Sequence, residues 1–504
     1  MDLETLLTFE WGIMMPEFII LGIATLLTLL DLFMPKAKAR KILGWIGLAG
    51  ILVALVSLVG LLDHEVSSIL YDTFRLDAFA KAFKLILLIG AAMVMLLAIS
   101  YEPKEGMTEY RGEFFYLFLM ALLGAMMMTS SGDLITLFVG LELLSLSSYI
   151  LAGMRKKNIK SNESAMKYVI NGSISTAITL LGMSYVYGLT GTTNIADMRD
   201  VLLAINDSQH VYILVIAFLM IFVGLSFKIT AAPFHMWAPD VYQGAPTPVT
   251  AFLSVISKTA GFVLLIRIFL SIFANVASDG LNSTSVLVMM QDYIAFIAGA
   301  TMVIGNVIAL KQKNVKRIFA YSGMAHSGYL LVALASLSIF MFDSMWFYLL
   351  AYLFMNLGAF SIIQLVTEKS DSEDISQFAG LYSRSPFLAI AMSVVILSLA
   401  GIPGTAGFIG KLNIITGAFV VEQPYYVLVS VMIATTVIAY VYYFGIMVQM
   451  FSRRAVNEAS IKIPVGTGMV IGVCVGATIL FGLFPNIAFD FLQTQFYGFG
   501  DFLQ

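Results

Sequence analysis

Charge is what this chain has least of. Of its 504 residues only 12% are Asp, Glu, Lys or Arg, against 60% that are hydrophobic, and the mean hydropathy is +0.92. Soluble domains carry about 25% charged residues. Half that supply cannot cover the surface of a water-soluble globule of this size. A soluble enzyme, a nucleic-acid-binding protein and a disordered chain are therefore excluded. The net charge of −3, from 28 basic and 31 acidic residues, offers nothing to a polyanionic partner. Cysteine is almost absent too. Cys474 stands alone, so no intramolecular disulfide, thiolate metal site or iron–sulfur cluster can form. It reads as a small core or lipid-facing residue. No dinucleotide fingerprint follows a strand and no haem-ligand pattern occurs, so no electron carrier is expected on this chain. Gly466-Thr-Gly468 reads as helix packing. The N-terminus lacks a basic region, and Glu17 lies inside the first apolar stretch, which reads as a first span rather than a cleaved signal.

Long apolar runs are plentiful. A hydrocarbon layer of about 30 Å takes about 20 helical residues. Such segments fall at 12–34, 42–62, 77–100, 113–130, 133–154, 164–188, 210–243, 246–273, 288–310, 317–337, 343–367, 386–420, 424–451 and 463–484. The expected fold is an all-α polytopic membrane protein with 14 transmembrane helices. Segments 210–243 and 386–420 are too long for one straight span, and each holds a central proline, Pro233 or Pro403. Both read as broken helices, in spans 7 and 12.

The basic residues test that count. Nineteen of the 28 follow odd-numbered spans, among them Lys36, Lys38, Arg40, Lys104, Arg155, Lys156, Lys311, Lys316, Lys369 and Arg453. Only Arg75 and Arg199 fall on the other side. The odd loops are expected in the cytoplasm and both termini outside. Seven basic residues stay within spans: Lys81, Lys84, Lys167, Lys228, Lys258, Arg267 and Lys411. Lys81, Lys84 and Arg267 lie near outer helix ends, where snorkelling accounts for them. Lys167 is shallow as well. The other three are deep. Lys258 is ten residues past Pro248, about 15 Å along its helix, and Glu142 is nine past Asp133, about 14 Å. Glu142, Lys228, Lys258 and Lys411 thus lie near half-depth on four helices.

A mid-bilayer charge costs at least about 2.5–3.5 kcal/mol, which mere packing need not incur. Desolvation disfavours the charged form of a buried amine and a nearby carboxylate favours it, so Lys–Glu pairs hold or release a proton as they close or part. Lysine offers no oxygen ligand, which favours protons over sodium. Of the four histidines, His64 and His210 read as solvated, while His235 and His326 lie inside spans as candidate relay groups. Two broken helices five spans apart suggest two inverted five-helix repeats, spans 4–8 and 9–13, with the site at the breaks. The chain then divides into 1–112, 113–273, 274–451 and 452–504.

The run from Pro233-Phe-His-Met-Trp-Ala-Pro-Asp through Val-Tyr-Gln-Gly-Ala-Pro-Thr-Pro to Ser257-Lys258 resembles the antiporter-like membrane subunits of respiratory complex I, the proton-translocating NADH:quinone oxidoreductase. Asn306 to Tyr329, Gly401 to Lys411 and Glu163-Ser-Ala-Met-Lys167 are similar as well. The short tail after the last span and Asp240-Val-Tyr-Gln-Gly look like the family's N type. The resemblance covers nearly the whole chain. It implies 14 helices with inverted repeats and a relay of Glu142, Lys228, Lys258 and Lys411, with Lys167, His235 and His326 secondary. It implies no cofactor or metal on this chain, and quinone, flavin and iron–sulfur clusters on other subunits. The implied partners are M-type and small K/J/A-type membrane-arm subunits and the lipid bilayer, with no nucleic acid. The implied location is the plasma membrane. A multisubunit Na⁺/H⁺ antiporter subunit and a stand-alone solute/proton symporter are the alternatives.

Overall fold

The computed structural model describes residues 7–35, 40–102, 110–204, 208–274, 277–279, 282–368, 372–455, 460–496 and 499–502. Lys36, Lys38, Lys104 and Lys369, counted above among the basic loop residues, lie outside these ranges.

Apolar runs with few charges become helices because only a helix satisfies every backbone group within its own segment. In chain order they are α1 (Met15–Phe33), α2 (Lys41–Val59), α3 (Ala78–Ser100), α4 (Arg111–Thr129), α5 (Leu134–Ala152), α6 (Ile159–Thr190), α7 (Ser208–Lys228), α8 (Trp237–Gly244) and α9 (Thr247–Phe273). Then come α10 (Gln291–Ala309), α11 (Val315–Ser336), α12 (Met341–Thr367), α13 (Pro386–Ala400), α14 (Ala406–Val420), α15 (Tyr426–Ser452), α16 (Val465–Leu483) and α17 (Asn486–Phe496). Among the described residues 13 helices are long and apolar enough to cross a membrane, and α13 and α14 are shorter apolar helices. The chain is a multi-pass, mostly helical membrane protein, with two short antiparallel hairpins, Ser67–Ile69 with Phe74–Leu76 and Ala277–Asp279 with Asn282–Ser285.

Side-chain capping sets several starts. Asp77 accepts from Ala80 N ahead of α3, Asp133 from Ile135 N and Thr136 N ahead of α5, and Asn314 from Arg317 N ahead of α11. Each satisfies amides that a helix start leaves without partners. Helices α9 and α12 are buried along their whole apolar windows, and α11 and α3 nearly so. Helices α1, α6, α15 and α16 keep large apolar side chains such as Leu29, Ile174, Val441 and Val473 exposed. Chain faces that would be a liability in water are suited to lipid. The centre of the molecule is thus α3, α9, α11 and α12.

Both expected breaks occur, with ends that the proline positions alone did not fix. Helix α7 stops at Lys228, five residues before Pro233. The released strand is held by Ala231 N to Ser226 O (2.8 Å), by Ala232 N to Thr301 Oγ1 of α10 (2.9 Å), and by Trp237 Nε1 to Phe227 O (3.0 Å). Helix α13 stops at Ala400, where Gly401 turns to φ +82°. A third irregularity had no sequence signal: Leu253–Ser257 in α9 is a π-helical turn directly before Lys258. Such turns concentrate at functional sites.

Snorkelling is the wrong account of Arg267 and Lys84. Arg267 makes two bonds of 2.9 Å to the Asp77 carboxylate, and its guanidinium lies between the Phe79 and Phe502 rings. Lys84 is wholly buried and paired with Glu17 of α1. Both found carboxylates on helices distant in sequence, which depth along one helix cannot reveal. Lys81 fits better, since its ammonium reaches the carbonyls of Leu62 and His64. The tail after α16 also holds an unexpected element, α17, whose Phe489 stacks on Phe347 at 4.7 Å.

At the opposite end, the segment around Glu373 is strapped over the start of α11. Val315 N donates to Glu373 O (2.8 Å), Ile375 N to Lys313 O (2.9 Å), and the Glu373 carboxylate takes the buried Lys316 ammonium at 2.8 Å. Burial pushes the Glu373 carboxyl up, but Lys316, Arg155 and the Asn314 amide outweigh it and hold it below its ordinary value. A depressed carboxyl contributes stability above its unfolded value, about 4.3, and loses it as pH falls through the lower folded value. Amide protection of Val315 and Ile375, corrected for intrinsic exchange, should therefore hold from pH 8 to pH 5 and fall only below about pH 4. Loss between pH 7 and pH 5 would contradict the pairing.

Candidate proton-relay site

The four half-depth charges sit on α5, α7, α9 and α14, and the fold brings them towards the α9–α11–α12 core. Lys228 is the last residue of α7, and its ammonium donates to Ser145 Oγ at 3.0 Å. Ser145 is one turn from Glu142 on α5. Glu142 acts electrostatically on Lys228, though no direct salt bridge joins them among the described residues. Glu142 is half-buried, and its Oε1 is buried without a hydrogen-bond partner. Ser145 Oγ thus holds the Lys228 ammonium one helical turn along α5 from Glu142. The Lys228 stem packs against Gly261 of α9, one turn past Lys258: a Cβ on Gly261 would lie 3.1 Å from Lys228 Cγ.

Lys258 follows the π turn. Its ammonium donates to Gly323 O of α11 at 2.5 Å and to Tyr352 Oη of α12 at 3.5 Å. His326, one turn beyond Gly323, has its ring 5.1 Å from Tyr352 and 5.4 Å from Tyr329. Its Nδ1 shares a hydrogen bond with Tyr348 Oη (2.6 Å) and its Nε2 one with Tyr443 Oη (3.3 Å). Lys411 closes the row. Its ammonium lies 4.9 Å over the Tyr329 ring and donates to Leu399 O (3.0 Å) and Ala400 O (3.2 Å). Those are carbonyls that the end of α13 leaves free, at the negative end of its dipole. Both break lysines thus sit at the C-terminal end of an interrupted helix. Taken in the order of these placements, the groups are Glu142, Ser145, Lys228, Lys258, Tyr352, His326, Tyr329 and Lys411.

Two glycines make room for the ammonium groups. A Cβ on Gly323 would lie 3.1 Å from Lys258 Nζ and 2.9 Å from Tyr352 Oη. A Cβ on Gly401 would lie 3.0 Å from Lys411 Cδ, at a positive φ that side chains rarely adopt.

Two of the secondary candidates lie apart from the row. Lys167 is 41% exposed and pairs with Glu163 and Asp240, each at 2.6 Å. Asp240 also takes Arg317 at 2.5 Å, so Lys167 belongs to a half-exposed charge network at α8. His235 lies in the α7–α8 break with its Nδ1 buried and without a hydrogen-bond partner, 6.4 Å from the Tyr321 ring. The tyrosines were the group that residue-by-residue reading overlooked. Their signal was present: Tyr348, Tyr352 and Asn356 recur every four residues on one face of an otherwise apolar segment.

Residues 131–439 match the family model described as NADH:quinone oxidoreductase/Mrp antiporter, TM. NADH-quinone oxidoreductase subunit N of Geobacillus sp. strain WCH70 is 62% identical over 493 residues, 98% of this chain and 100% of that protein. A chain of respiratory complex I from Thermus thermophilus with bound aureothin superposes with a TM-score of 0.78 at 29% identity, covering 95% of this chain and 99% of that one. A chain of the Mrp complex from Dietzia sp. DQ12-45-1b has a TM-score of 0.82 at 18% identity over 98% of both chains, which is a likeness of fold. Sequence and fold agree along nearly the full length, and the chain belongs to the NADH:quinone oxidoreductase/Mrp antiporter family of membrane subunits.

Proposed function

We propose that this chain is the proton-translocating N-type membrane-arm subunit of a complex-I-type quinone oxidoreductase. The carrying observation is the buried row of amine, imidazole and phenol groups from Lys228 to Lys411, contributed by five helices between two helix breaks. Each group can hold or pass a proton, and a buried charge costs more than apolar packing would. Glu142 sets the charge balance of Lys228. Lys228 takes protons from the cytoplasmic side. Lys258, Tyr352, His326 and Tyr329 carry them along the midplane, and Lys411 releases them outward or hands them on. Lys167 and His235 serve at the margin of this route, where protons reach the broken helix.

Counting α7 with α8, and α13 with α14, as single interrupted crossings gives 14 membrane passages. In this reading 113–273 and 274–451 are inverted repeats flanked by 1–112 and 452–504, and both termini face outward. No redox step occurs on this chain. Quinone, flavin and iron–sulfur clusters belong to other subunits of the assembly, and quinone reduction there supplies the driving force. The neighbours are M-type and small K/J/A-type subunits in the plasma membrane. The Geobacillus relative, 62% identical, is named for the oxidoreductase, which places this reading ahead of a Na⁺/H⁺ antiporter or a solute symporter.

The test is purification of the intact complex from its own membranes, partner identification by mass spectrometry, and quinone-linked acidification of reconstituted vesicles. Co-purified quinone reductase subunits and sodium-independent acidification are expected. Strictly sodium-dependent exchange without a co-purifying reductase would overturn the proposal. Within the same assay Gly323→Ala should slow pumping about fivefold, because its methyl group displaces the Lys258 ammonium and weakens one charge-assisted hydrogen bond by about 1 kcal/mol. An assembled variant with wild-type pumping would contradict that contact.

A further inference from the structure

The row described above uses one side of α9. On the other side stand two charges with no assigned task, Glu17 of α1 and Lys84 of α3. The Lys84 side chain has no exposed surface and that of Glu17 is 2% exposed. They pair with each other, and beyond that contact the Lys84 ammonium and both Glu17 oxygens have no hydrogen-bond partner among the described residues. The ammonium lies 4.7 Å over the Phe74 ring.

A tie between α1 and α3 does not need such a pair. Removing two charges from water costs more than their attraction returns unless further hydrogen bonds complete the site, and well-packed apolar residues hold helices at least as well. The position is more telling. A Cβ on Gly90 of α3 would lie 3.0 Å from Leu353, which follows Tyr352, and 3.3 Å from Ile256, two residues before Lys258. Gly90 therefore marks the level of the relay row on α3. Lys84 is six residues towards the start of α3, about 9 Å from that level, and Asp77 is a further seven residues, about 10 Å. Residues seven apart share a helix face. Asp77 and Arg267 both act electrostatically on Lys84. Arg267 in turn lines an open cleft with Asp72, Arg75, Ser131 and Arg199. Row, buried pair, Asp77–Arg267 pair and cleft form a line from the middle of the molecule to the α3 start.

We propose that Glu17 and Lys84 form a proton-holding site between the midplane row and the outer face. The proposal rests on the relay reading above. In the resting site one proton is shared, as ammonium with carboxylate or as amine with carboxylic acid. An arriving proton gives ammonium with carboxylic acid, and its departure past Asp77 to the cleft restores the starting charge. Proton number balances, and no other bond changes. Lys81, whose ammonium is turned to the Leu62 and His64 carbonyls, is the other cation on this stretch of α3.

The test uses the assembled complex in liposomes, with protons pumped per electron pair as the readout. Glu17→Gln is expected to lower that ratio. So is the double variant Glu17→Leu with Lys84→Met, which keeps the volume and removes the charge, and which decides the matter where Glu17→Gln fails to assemble. A carboxylic-acid stretching band that appears during turnover in wild type should be missing from Glu17→Gln, a signature that a purely structural pair would not produce. An assembled double variant with the wild-type ratio overturns the proposal. Lys228→Ala run in parallel separates the two readings. If it loses pumping while the Glu17/Lys84 variant does not, only this inference fails. If it pumps fully, the relay itself fails.

Discussion

Replacing Lys228 with alanine is expected to cut quinone-driven proton pumping by about tenfold or more in a complex that still assembles. The size follows from what the side chain would do. A positioned group that accepts and returns a proton contributes about 100-fold or more to such steps, and parallel water leaves part of the flux. Assembly should survive because Lys228 ends α7 and, among the described residues, its ammonium makes one hydrogen bond, to Ser145. The backbone of the break is held separately, through Thr301 and Trp237. Lys228→Arg should fail as well, although it keeps the charge, because a guanidinium does not release its proton in proteins. An alanine variant alone could fail for lack of charge. The arginine variant separates charge from exchange. Vesicle acidification with an assembled Lys228→Arg complex at the wild-type rate would contradict the proton-exchange role.

The second large effect is expected at Lys258. It stands between the α7 break and the tyrosine–histidine cluster, so Lys258→Ala should interrupt the row and lower pumping about as severely as Lys228→Ala. Its ammonium satisfies Gly323 O and lies 5.4 Å from the Tyr352 ring centre. Removing it takes a charge-assisted hydrogen bond from Gly323 O, which keeps only the weaker donation from Ser327 Oγ beside its helical bond, and takes a donor from the Tyr352 phenol, at a cost of about 1–3 kcal/mol. Stability should therefore fall modestly along with pumping, which Lys228→Ala should not show to the same degree. The measurement is thermal stability of the solubilised complex beside its proton-to-electron ratio. Because both residues lie in one row, the double variant should pump no worse than the more damaged single variant. An independent, multiplicative loss would mean that the two lysines serve separate routes.

Much of this arrangement was legible in the chain. The apolar runs gave the helices, because the bilayer fixes their length. Pro233 and Pro403 marked both interruptions, because a proline cannot continue a hydrogen-bonded helix. Scarcity of charge singled out Glu142, Lys228, Lys258 and Lys411. What could not be read was lateral. Depth along one helix does not say which carboxylate lies across from it, so the pairing of Arg267 with Asp77 and of Lys84 with Glu17 has no signal in the sequence, where both read as snorkelling residues. Tyr348 and Tyr352 were hidden among 22 tyrosines, since a phenol is unremarkable in an apolar helix until a histidine faces it. The π turn before Lys258 has no residue preference strong enough to announce it.

The most direct measurement is the ratio of protons pumped to electrons passed in liposomes holding the intact complex, with Lys228→Ala, Lys258→Ala and Lys411→Ala combined in this one chain. The proposed row predicts that the ratio falls clearly below wild type while the complex remains assembled and still reduces quinone. An assembled triple variant with an unchanged ratio would show that these buried amines carry no protons.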